Sequence, residues 1–450
     1  MSKEITEKLA RFVVETDYQE IPKNVLEFTK GLILKTVAGM TAGSGMPSGK
    51  KMANIIRDRK LPEDVGVVGC GFKTSLWDSI FLSAFFSHAA ELEDDYFGEG
   101  LFWDITVIPL VFPLAERLRL SGRSLIEAIA VGLEAHARTC SFTSDQLGIG
   151  IIPGSVGPAA AAAKAMNLDL ERTASALGLA MSGPHISILN YGTDAHYFES
   201  ALQSLHGIMA AQMAKEGMTS NPDIASYLSN LLGKDNVRKE KISEDLGKKW
   251  LFTGIWIKKY PCCFYIQRQI DILLELRKKH KLSYEDVEKI DVYTSPGDEA
   301  CNRPEPKSLG DLQFSLQHIL GAAMLDGDVN YKHIDTAILY DPKYKEARSK
   351  VNVIPNPELS HLMMVDPARL TIVMKDGQEF SGERQKVIGS PEEPLSISEI
   401  GELYKKYTKG VLSERQIERT LELLLKLENL RDIEQLVDLL VFRHKALDTY

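Results

Sequence analysis

Acidic side chains and a histidine are concentrated in one short stretch of the chain, His88-Ala-Ala-Glu91-Leu-Glu93-Asp94-Asp95. If a helix continues through this stretch, His88, Glu91 and Asp95 lie on one face, because residues three or four positions apart are neighbours on a helix. Carboxylates at this spacing repel each other unless a proton or a cation lies opposite, and such clusters are typical of sites that exchange protons. A solvated acidic helix end explains the same residues equally well. A magnesium site for a diphosphate would require a second acidic motif, and the sequence has none of suitable spacing.

A second polar group lies in Tyr191-Gly-Thr-Asp194-Ala-His196. Asp194 can cap the helix that follows, which would put His196 in the first helical turn. The free N–H groups of a first turn favour an anion and a neutral imidazole, so His196 is suited to act as a base beside a substrate carboxylate. A surface-loop histidine is the alternative interpretation.

Basic residues that could bind an anionic group follow further along the chain. Lys258 and Lys259 lie in Trp256-Ile-Lys-Lys-Tyr-Pro-Cys-Cys263, just before a predicted helix, and this position is suited to binding anions. Arg303 lies in a loop fixed by prolines and can bind a carboxylate with two parallel hydrogen bonds. His318 lies on an otherwise apolar helix, where a lone histidine is more often a hydrogen-bonded core residue than a catalyst.

The periodicity of apolar residues predicts a mainly α fold. Helical spacing dominates the first 280 residues, including a predicted helix over Leu76–Asp95. A strand is then predicted at Val287–Thr294, and Asp376-Gly377 indicates a hairpin. We therefore predict a large multihelical domain, residues 1–266 and 395–450, interrupted by a smaller α+β lid domain, residues 267–394. Ligands usually bind in the cleft between two such domains.

Composition limits the partners and the compartment. The 450-residue chain has 53 basic and 62 acidic residues, a formal net charge of -9, so it lacks the basic field that binds nucleic acid or an anionic membrane. No uncharged apolar run reaches the roughly 18 residues of a membrane span. The charged first residues do not resemble a signal peptide. An odd count of 5 cysteines does not indicate a disulfide framework, so we expect a cytoplasmic protein.

Taken in order, stretches over almost the whole chain resemble the MmgE/PrpD family, which includes 2-methylcitrate dehydratase, cis-aconitate decarboxylase and iminodisuccinate epimerase. The order and spacing of the motifs carry the resemblance. The motifs are Ser87–Asp95, Val107-Ile-Pro109, Gly157-Pro158 with the alanines after it, Lys258–Cys263, Asn302-Arg-Pro304, and Phe314–His318 through Leu325-Asp-Gly327. The family fold is a helical domain with a smaller α+β lid, and it is usually dimeric. The resemblance therefore implies this fold and a homodimer.

The family's usual catalytic residues are largely replaced. At three positions where the family has a histidine, this chain has another residue, namely Phe102, Gly148 and Gln267. His196 falls where the family has a lysine, and His318 falls where it has a tyrosine on the lid helix.

Two of the acidic positions also differ from the family. Glu91 falls where the family usually has an aspartate, and Asp95 falls where it has a threonine. Among the family's catalytic positions only Lys258 looks retained. Because polar residues still occupy most of these positions, we favour a changed activity over an inactive protein.

The chemistry implied by the resemblance is proton abstraction next to a carboxylate of a small organic acid, followed by loss of water or carbon dioxide. We expect a cofactor-independent lyase, a dehydratase or a decarboxylase, which requires neither metal nor organic cofactor. There are two alternative interpretations: an isomerase or epimerase on the same scaffold, and a non-catalytic family member.

Each candidate residue receives a role in this hypothesis. His196 and His318 act as base or acid, Lys258 binds a carboxylate or enolate, and Glu91 and Asp95 orient these groups or exchange protons. The residues assigned to substrate binding are His88, Tyr191, Lys259 and Arg303.

Overall fold

The computed structural model describes residues 2–96, 104–140, 154–184, 186–361 and 364–441. These residues form two compact units. The helical unit consists of the described residues within Met1–Leu189, Asp194–Ile255 and Ser396–Tyr450. The mixed unit consists of those within Asn190–Thr193 and Trp256–Leu395. The domain borders inferred from the sequence, at residues 266 and 394, stay a prediction.

The helical unit contains long helices and one short pair of strands. Up to residue 255 its elements are α1 Ser2–Glu15, α2 Lys23–Gly45, α3 Pro47–Asp58, β1 Val65–Gly66, β2 Lys73–Thr74, α4 Leu76–Ala89, α5 Asp104–Leu118, α6 Gly122–Cys140, α7 Val156–Ala165, α8 Leu170–Ala180, α9 Asp194–Lys215 and α10 Ile224–Leu232.

The mixed unit contains a small sheet and shorter helices. Its elements are α11 Gln267–His280, β3 Val287–Thr294, α12 Leu309–Gln313, α13 Leu316–Asp326, α14 Thr336–Tyr340, α15 Pro342–Ser349, β4 Val351–Pro355, β5 Ala368–Met374 and β6 Glu379–Arg384. The helical unit then resumes with α16 Ile397–Thr408, α17 Glu414–Leu425 and α18 Glu434–Val441.

Close packing of small residues forms the core of the helical unit. Helix α2 is buried throughout residues 29–44, and it packs against α4, α5 and α16. Helix α4 also packs against α9, and the buried alanines of α7 lie against α6 and α9. At Gly43 the backbones of α2 and α4 approach so closely that no side chain fits between them. This arrangement holds α4 between α2 and α9.

The sheet of the mixed unit has four strands in the order β4-β3-β5-β6. Strands β3 and β4 are parallel, whereas β5 is antiparallel to both β3 and β6. The predicted strand Val287–Thr294 is confirmed, as is the hairpin, whose turn contains Gly377 at a φ of 85°. Glycine is favoured there because a left-handed backbone strains other residues.

The mainly α class with a smaller α+β part is confirmed. The apolar segment that carries His318 forms two helices, α12 and α13, rather than one. The division occurs because Ser315 caps α13, where its hydroxyl accepts the backbone N–H of His318 at 3.0 Å. Within the described residues, no helix has the length and apolar character needed to cross a bilayer.

We expect Gly43→Ala to lower the free energy of unfolding by on the order of 1–3 kcal/mol, the usual cost of overpacking a core. A Cβ atom at residue 43 would lie 1.8 Å from the carbonyl oxygen of Phe86, so α2 and α4 would have to separate. Gly401→Ala in α16 is the matched control, because its Cβ atom would lie 3.7 Å from the nearest side-chain atom, on Leu421. Thermal unfolding followed by circular dichroism compares the two variants. Equal melting temperatures would contradict the prediction.

Candidate active site

The acidic stretch forms a buried turn rather than a helix end. Helix α4 ends at Ala89, and Glu91 adopts a φ of 52°, which is unusual for a residue other than glycine. The prediction of a helix through Asp95 was therefore wrong, and His88, Glu91 and Asp95 do not share a helix face. We call residues 90–95 the acidic turn. All six of these residues are buried, which excludes the solvated acidic helix end.

A buried lysine holds the acidic turn. The ammonium of Lys35, on α2, donates a hydrogen bond to the carbonyl oxygen of Leu92 at 2.7 Å and lies 3.3 Å from a carboxylate oxygen of Asp94. The side chains of Lys35 and Asp94 are both 0% exposed. Lys35 thus binds the backbone of the turn and also supplies the positive charge opposite Asp94. Sequence reasoning missed it, because nothing in the local pattern around residue 35 distinguishes it from a surface lysine.

A second carboxyl group lies next to Asp94. Asp104, the first residue of α5, accepts the hydroxyl hydrogen of Thr36 at 3.0 Å and the backbone N–H of Asp94 at 3.2 Å. Burial, with the negative charge of Asp94, raises the pKa of Asp104 well above its usual range. The burial of Asp104 next to Asp94 therefore favours the neutral form of the Asp104 carboxyl group.

The structure brings His88 and His196 together. His88 lies in the last turn of α4, and His196 lies in the first turn of α9, as the sequence predicted. Both side chains are buried, and their ring centroids are 3.9 Å apart at an interplanar angle of 57°. Nδ1 of His88 is 2.9 Å from the hydroxyl oxygen of Ser200. The packing of α4 on α9 creates this histidine pair, which sequence spacing alone did not indicate.

In the mixed unit, Gln267 fixes the loop that carries Lys258. Its amide oxygen accepts the backbone N–H groups of Lys259 at 3.2 Å and of Tyr260 at 3.0 Å. Its amide nitrogen donates to the carbonyl oxygens of Tyr260 at 3.0 Å and of Cys262 at 3.2 Å. Lys258 is buried, with its ammonium 5.8 Å from the ring centroid of Phe264. Gln267, where the resemblance implies a histidine, is thus a neutral residue that shapes the loop.

Two of the predicted substrate-binding cations have carboxylate partners within the mixed unit. Lys259 lies 2.7 Å from Asp271, which also accepts the hydroxyl hydrogen of Tyr260 at 3.2 Å. Arg303 lies 2.9 Å from Asp311 and donates to the carbonyl oxygen of Tyr191 at 3.3 Å. These contacts neutralise both cations and fix the loops around them.

His318 is part of a buried hydrogen-bond network in the mixed unit. Its Nε2–H donates to the carbonyl oxygen of His333 at 2.7 Å, and its Nδ1 is 3.3 Å from a guanidinium nitrogen of Arg348. Burial lowers the pKa of His318 to about 4, so the ring is neutral at physiological pH. The ring of His333 in turn lies 2.9 Å from Asp326.

Two further points from the sequence concern the positions of the lost family histidines and a possible metal site. Phe102 and Gly148, where the resemblance implies lost histidines, lie outside the described residues. Of the histidine, cysteine, aspartate and glutamate side chains that the structure describes, no three or more are grouped so that they could hold a metal ion.

We expect Lys35→Met to lower the free energy of unfolding by about 3–5 kcal/mol, because the Asp94 carboxylate would lose its buried counter-charge. The double variant Lys35→Met/Asp94→Asn should recover part of this loss. Lys405→Met is the control, since its ammonium forms a surface pair with Glu402 that contributes about 1 kcal/mol or less. Urea unfolding followed by tryptophan fluorescence measures the effects. A Lys35→Met variant no less stable than Lys405→Met would show that the buried pair does not stabilise the fold.

Comparison with known proteins identifies relatives over the whole chain. Cis-aconitate decarboxylase-like protein oryM of Aspergillus oryzae is 24% identical, with 97% of each chain covered. Cis-aconitate decarboxylase of Aspergillus terreus is 23% identical, with 97% of this chain and 96% of the relative covered. Cis-aconitate decarboxylase of Homo sapiens is 24% identical over 74% of this chain and 73% of its own.

The family match covers both halves of the chain. Residues 7–227 match the MmgE/PrpD N-terminal domain, and residues 260–429 match the MmgE/PrpD C-terminal domain. These matches include the acidic turn, the histidine pair and the network around His318, whereas Lys258 lies between the two matched ranges. The chain belongs to the MmgE/PrpD family.

Proposed function

We propose that this protein is a cofactor-independent lyase acting on a small organic acid. It either removes a proton next to a carboxylate and expels water after protonating the leaving hydroxyl, or it expels carbon dioxide and protonates the carbanion that remains. Its family membership and its decarboxylase relatives support this class of reaction. The observation that carries the proposal is the buried pair of His88 and His196 beside the acidic turn. Histidine exchanges protons near neutral pH, and a reaction of this class needs both a proton acceptor and a proton donor.

The histidine pair can supply both the proton acceptor and the proton donor. Two rings 3.9 Å apart repel each other when both are protonated, which disfavours the doubly charged state of the pair. In this proposal one ring is neutral and the other is charged during the reaction. The neutral ring accepts the substrate proton, and the charged ring returns one to the leaving group or to the product. In this proposal Glu91 and Asp95 orient the rings or take part in proton exchange.

The residues of the mixed unit keep the roles that the resemblance implies. Lys258 binds a substrate carboxylate or the developing enolate, whose negative charge a buried ammonium stabilises. The catalytic assignment of His318 stays a prediction. Its hydrogen bonds to His333 and its proximity to Arg348 favour a supporting position in the mixed unit over direct proton transfer. Lys259, Arg303 and Tyr191 likewise stay predictions for substrate binding.

An epimerase or isomerase is the second candidate, and the adjacent histidines favour it. Such a reaction needs an acceptor and a donor for one proton and no leaving group. Incubation of the full-length protein with a panel of di- and tricarboxylates, including cis-aconitate, in deuterated water separates the possibilities. Release of carbon dioxide or water indicates a lyase, whereas deuterium incorporation without release indicates an isomerase. A panel with neither reaction would favour the non-catalytic alternative.

We expect His196→Gln and Lys258→Ala each to reduce kcat/KM on the order of a hundredfold, because His196 transfers a proton and Lys258 stabilises the negative charge that develops on the substrate. His361→Gln and Lys345→Ala are the matched controls, since both side chains are exposed. Steady-state kinetics on whichever acid reacts in the panel measures the effect. Turnover equal to that of the controls would remove the corresponding residue from the mechanism.

We also propose a cytoplasmic homodimer. All five cysteines lie within the described residues, and none of them forms a disulfide. Free thiols are typical of proteins in a reducing compartment such as the cytoplasm. Three large apolar side chains on α4 and α9 are exposed, namely Trp77 at 45%, Phe198 at 45% and Met213 at 37%. Burial of such side chains against a second copy is a common basis of symmetric dimers.

We expect the double variant Phe198→Glu/Met213→Glu to be monomeric, because two buried carboxylates per subunit would oppose association. Analytical ultracentrifugation of the wild type and the variant measures the mass. Tyr340→Glu, at a side chain 71% exposed in the mixed unit, is the control and should remain dimeric. A monomeric wild type would contradict the homodimer itself.

A further inference from the structure

The hydroxyl of Ser200 lies between two hydrogen-bonding partners. Its oxygen is 3.0 Å from the carbonyl oxygen of Tyr197 on the same helix, and 2.9 Å from Nδ1 of His88 on α4. Ser200 and His88 are both 0% exposed, so water does not compete for either contact. The contact with His88 is a polar link across the packed faces of α4 and α9.

The number of hydrogens that each group can donate determines which atom is the donor in the contact between Ser200 and His88. A hydroxyl has one hydrogen to donate, and a backbone carbonyl oxygen can only accept. If Ser200 donates to Tyr197, its oxygen is the acceptor for Nδ1–H of His88, and both short contacts are hydrogen bonds. In the opposite arrangement Ser200 donates to Nδ1, and the contact with Tyr197 is no longer a hydrogen bond. The first arrangement is favoured because it makes one more hydrogen bond.

This direction determines the chemistry of the ring. A neutral imidazole with a hydrogen on Nδ1 carries its lone pair on Nε2. Free histidine side chains in water favour the other tautomer, with the hydrogen on Nε2. The contact with Ser200 therefore selects a form of His88 that the isolated side chain would populate only as a minority.

We propose that Ser200 is a positioning residue that holds His88 in the Nδ1–H tautomer and so makes Nε2 of His88 the proton-accepting atom of the site. This inference rests on the proposed function for the reaction itself. Within the histidine pair it makes His88, which the sequence analysis assigned to substrate binding, the general base. His196, the other member of the pair, is then the proton donor.

The arrangement follows the general pattern of an acid–base site, in which a third group orients the base. Ser200 is uncharged, so it fixes the tautomer and the ring rotation without adding another negative charge beside the acidic turn. Helix α9 carries both Ser200 and His196, four positions apart. One helix therefore supplies the proton donor and the group that orients the acceptor.

The test uses the full-length protein labelled with 15N in its histidine rings. The ring nitrogen shifts in NMR distinguish the two neutral tautomers, and His88→Gln assigns the His88 signals. We expect the wild type to show His88 protonated on Nδ1, and Ser200→Ala to shift it toward the Nε2–H form. Ser204→Ala is the matched control, because Ser204 is equally buried on α9 but donates to the carbonyl oxygen of Thr106 at 2.8 Å. It should leave the His88 signals unchanged.

Kinetics give a second readout on the acid that reacts in the panel. Ser200→Ala should lower kcat about tenfold with little change in KM, because tautomer selection affects proton transfer and not binding. Ser204→Ala should keep the wild-type kcat.

The outcomes separate this inference from the proposed function. A wild-type His88 protonated on Nε2, or an unchanged tautomer in Ser200→Ala, would overturn the inference even in an active enzyme. If the predicted tautomer is present but no acid reacts, Ser200 orients His88 as inferred and the proposed function fails. The predicted tautomer together with the loss of kcat supports both.

Discussion

The buried ammonium of Lys35 is the interaction on which the helical unit's candidate site depends. Removing a charged amine from water costs several kcal/mol, so such a group persists only when its hydrogen bonds and its counter-charge are both satisfied. Lys35 obtains them from the carbonyl oxygen of Leu92 and the carboxylate of Asp94. The two contacts hold the turn against α2, directly after the left-handed backbone at Glu91.

The histidine pair depends on a different constraint, the packing of α4 between α2 and α9. Gly43 lets α2 approach the backbone of α4, and α9 then meets α4 on its other side. His88 and His196 lie near adjacent ends of the two packed helices, so their separation follows from backbone positions rather than from flexible side chains. Gln267 in the mixed unit acts in a comparable way, because four hydrogen bonds from one amide determine the loop of Lys258.

The sequence predicted what depends on local pattern. Strand β3 and the hairpin at Gly377 follow from alternation and turn chemistry, and the placement of His196 in a first helical turn follows from the polar residues before α9. The buried turn after α4 was missed because the residue that binds it, Lys35, lies 57 positions from Leu92. The environment of His88 was also missed, since Ser200 is 112 positions away. Contacts of this kind are tertiary, and residue spacing along one helix carries no information about them.

The residue changes that the resemblance implies alter where the titratable groups stand, because histidines are lost at some positions while His196 and His318 stand at others. Gln267 stands at a position where the resemblance implies a histidine, and it preserves the shape of the Lys258 loop without a group that exchanges protons. His196 stands where the resemblance implies a lysine. A lysine is a fixed cation at neutral pH, whereas a histidine gains and loses a proton there. In the proposed function, His196 therefore supplies a group that exchanges protons next to His88, where the resemblance implies a permanent positive charge.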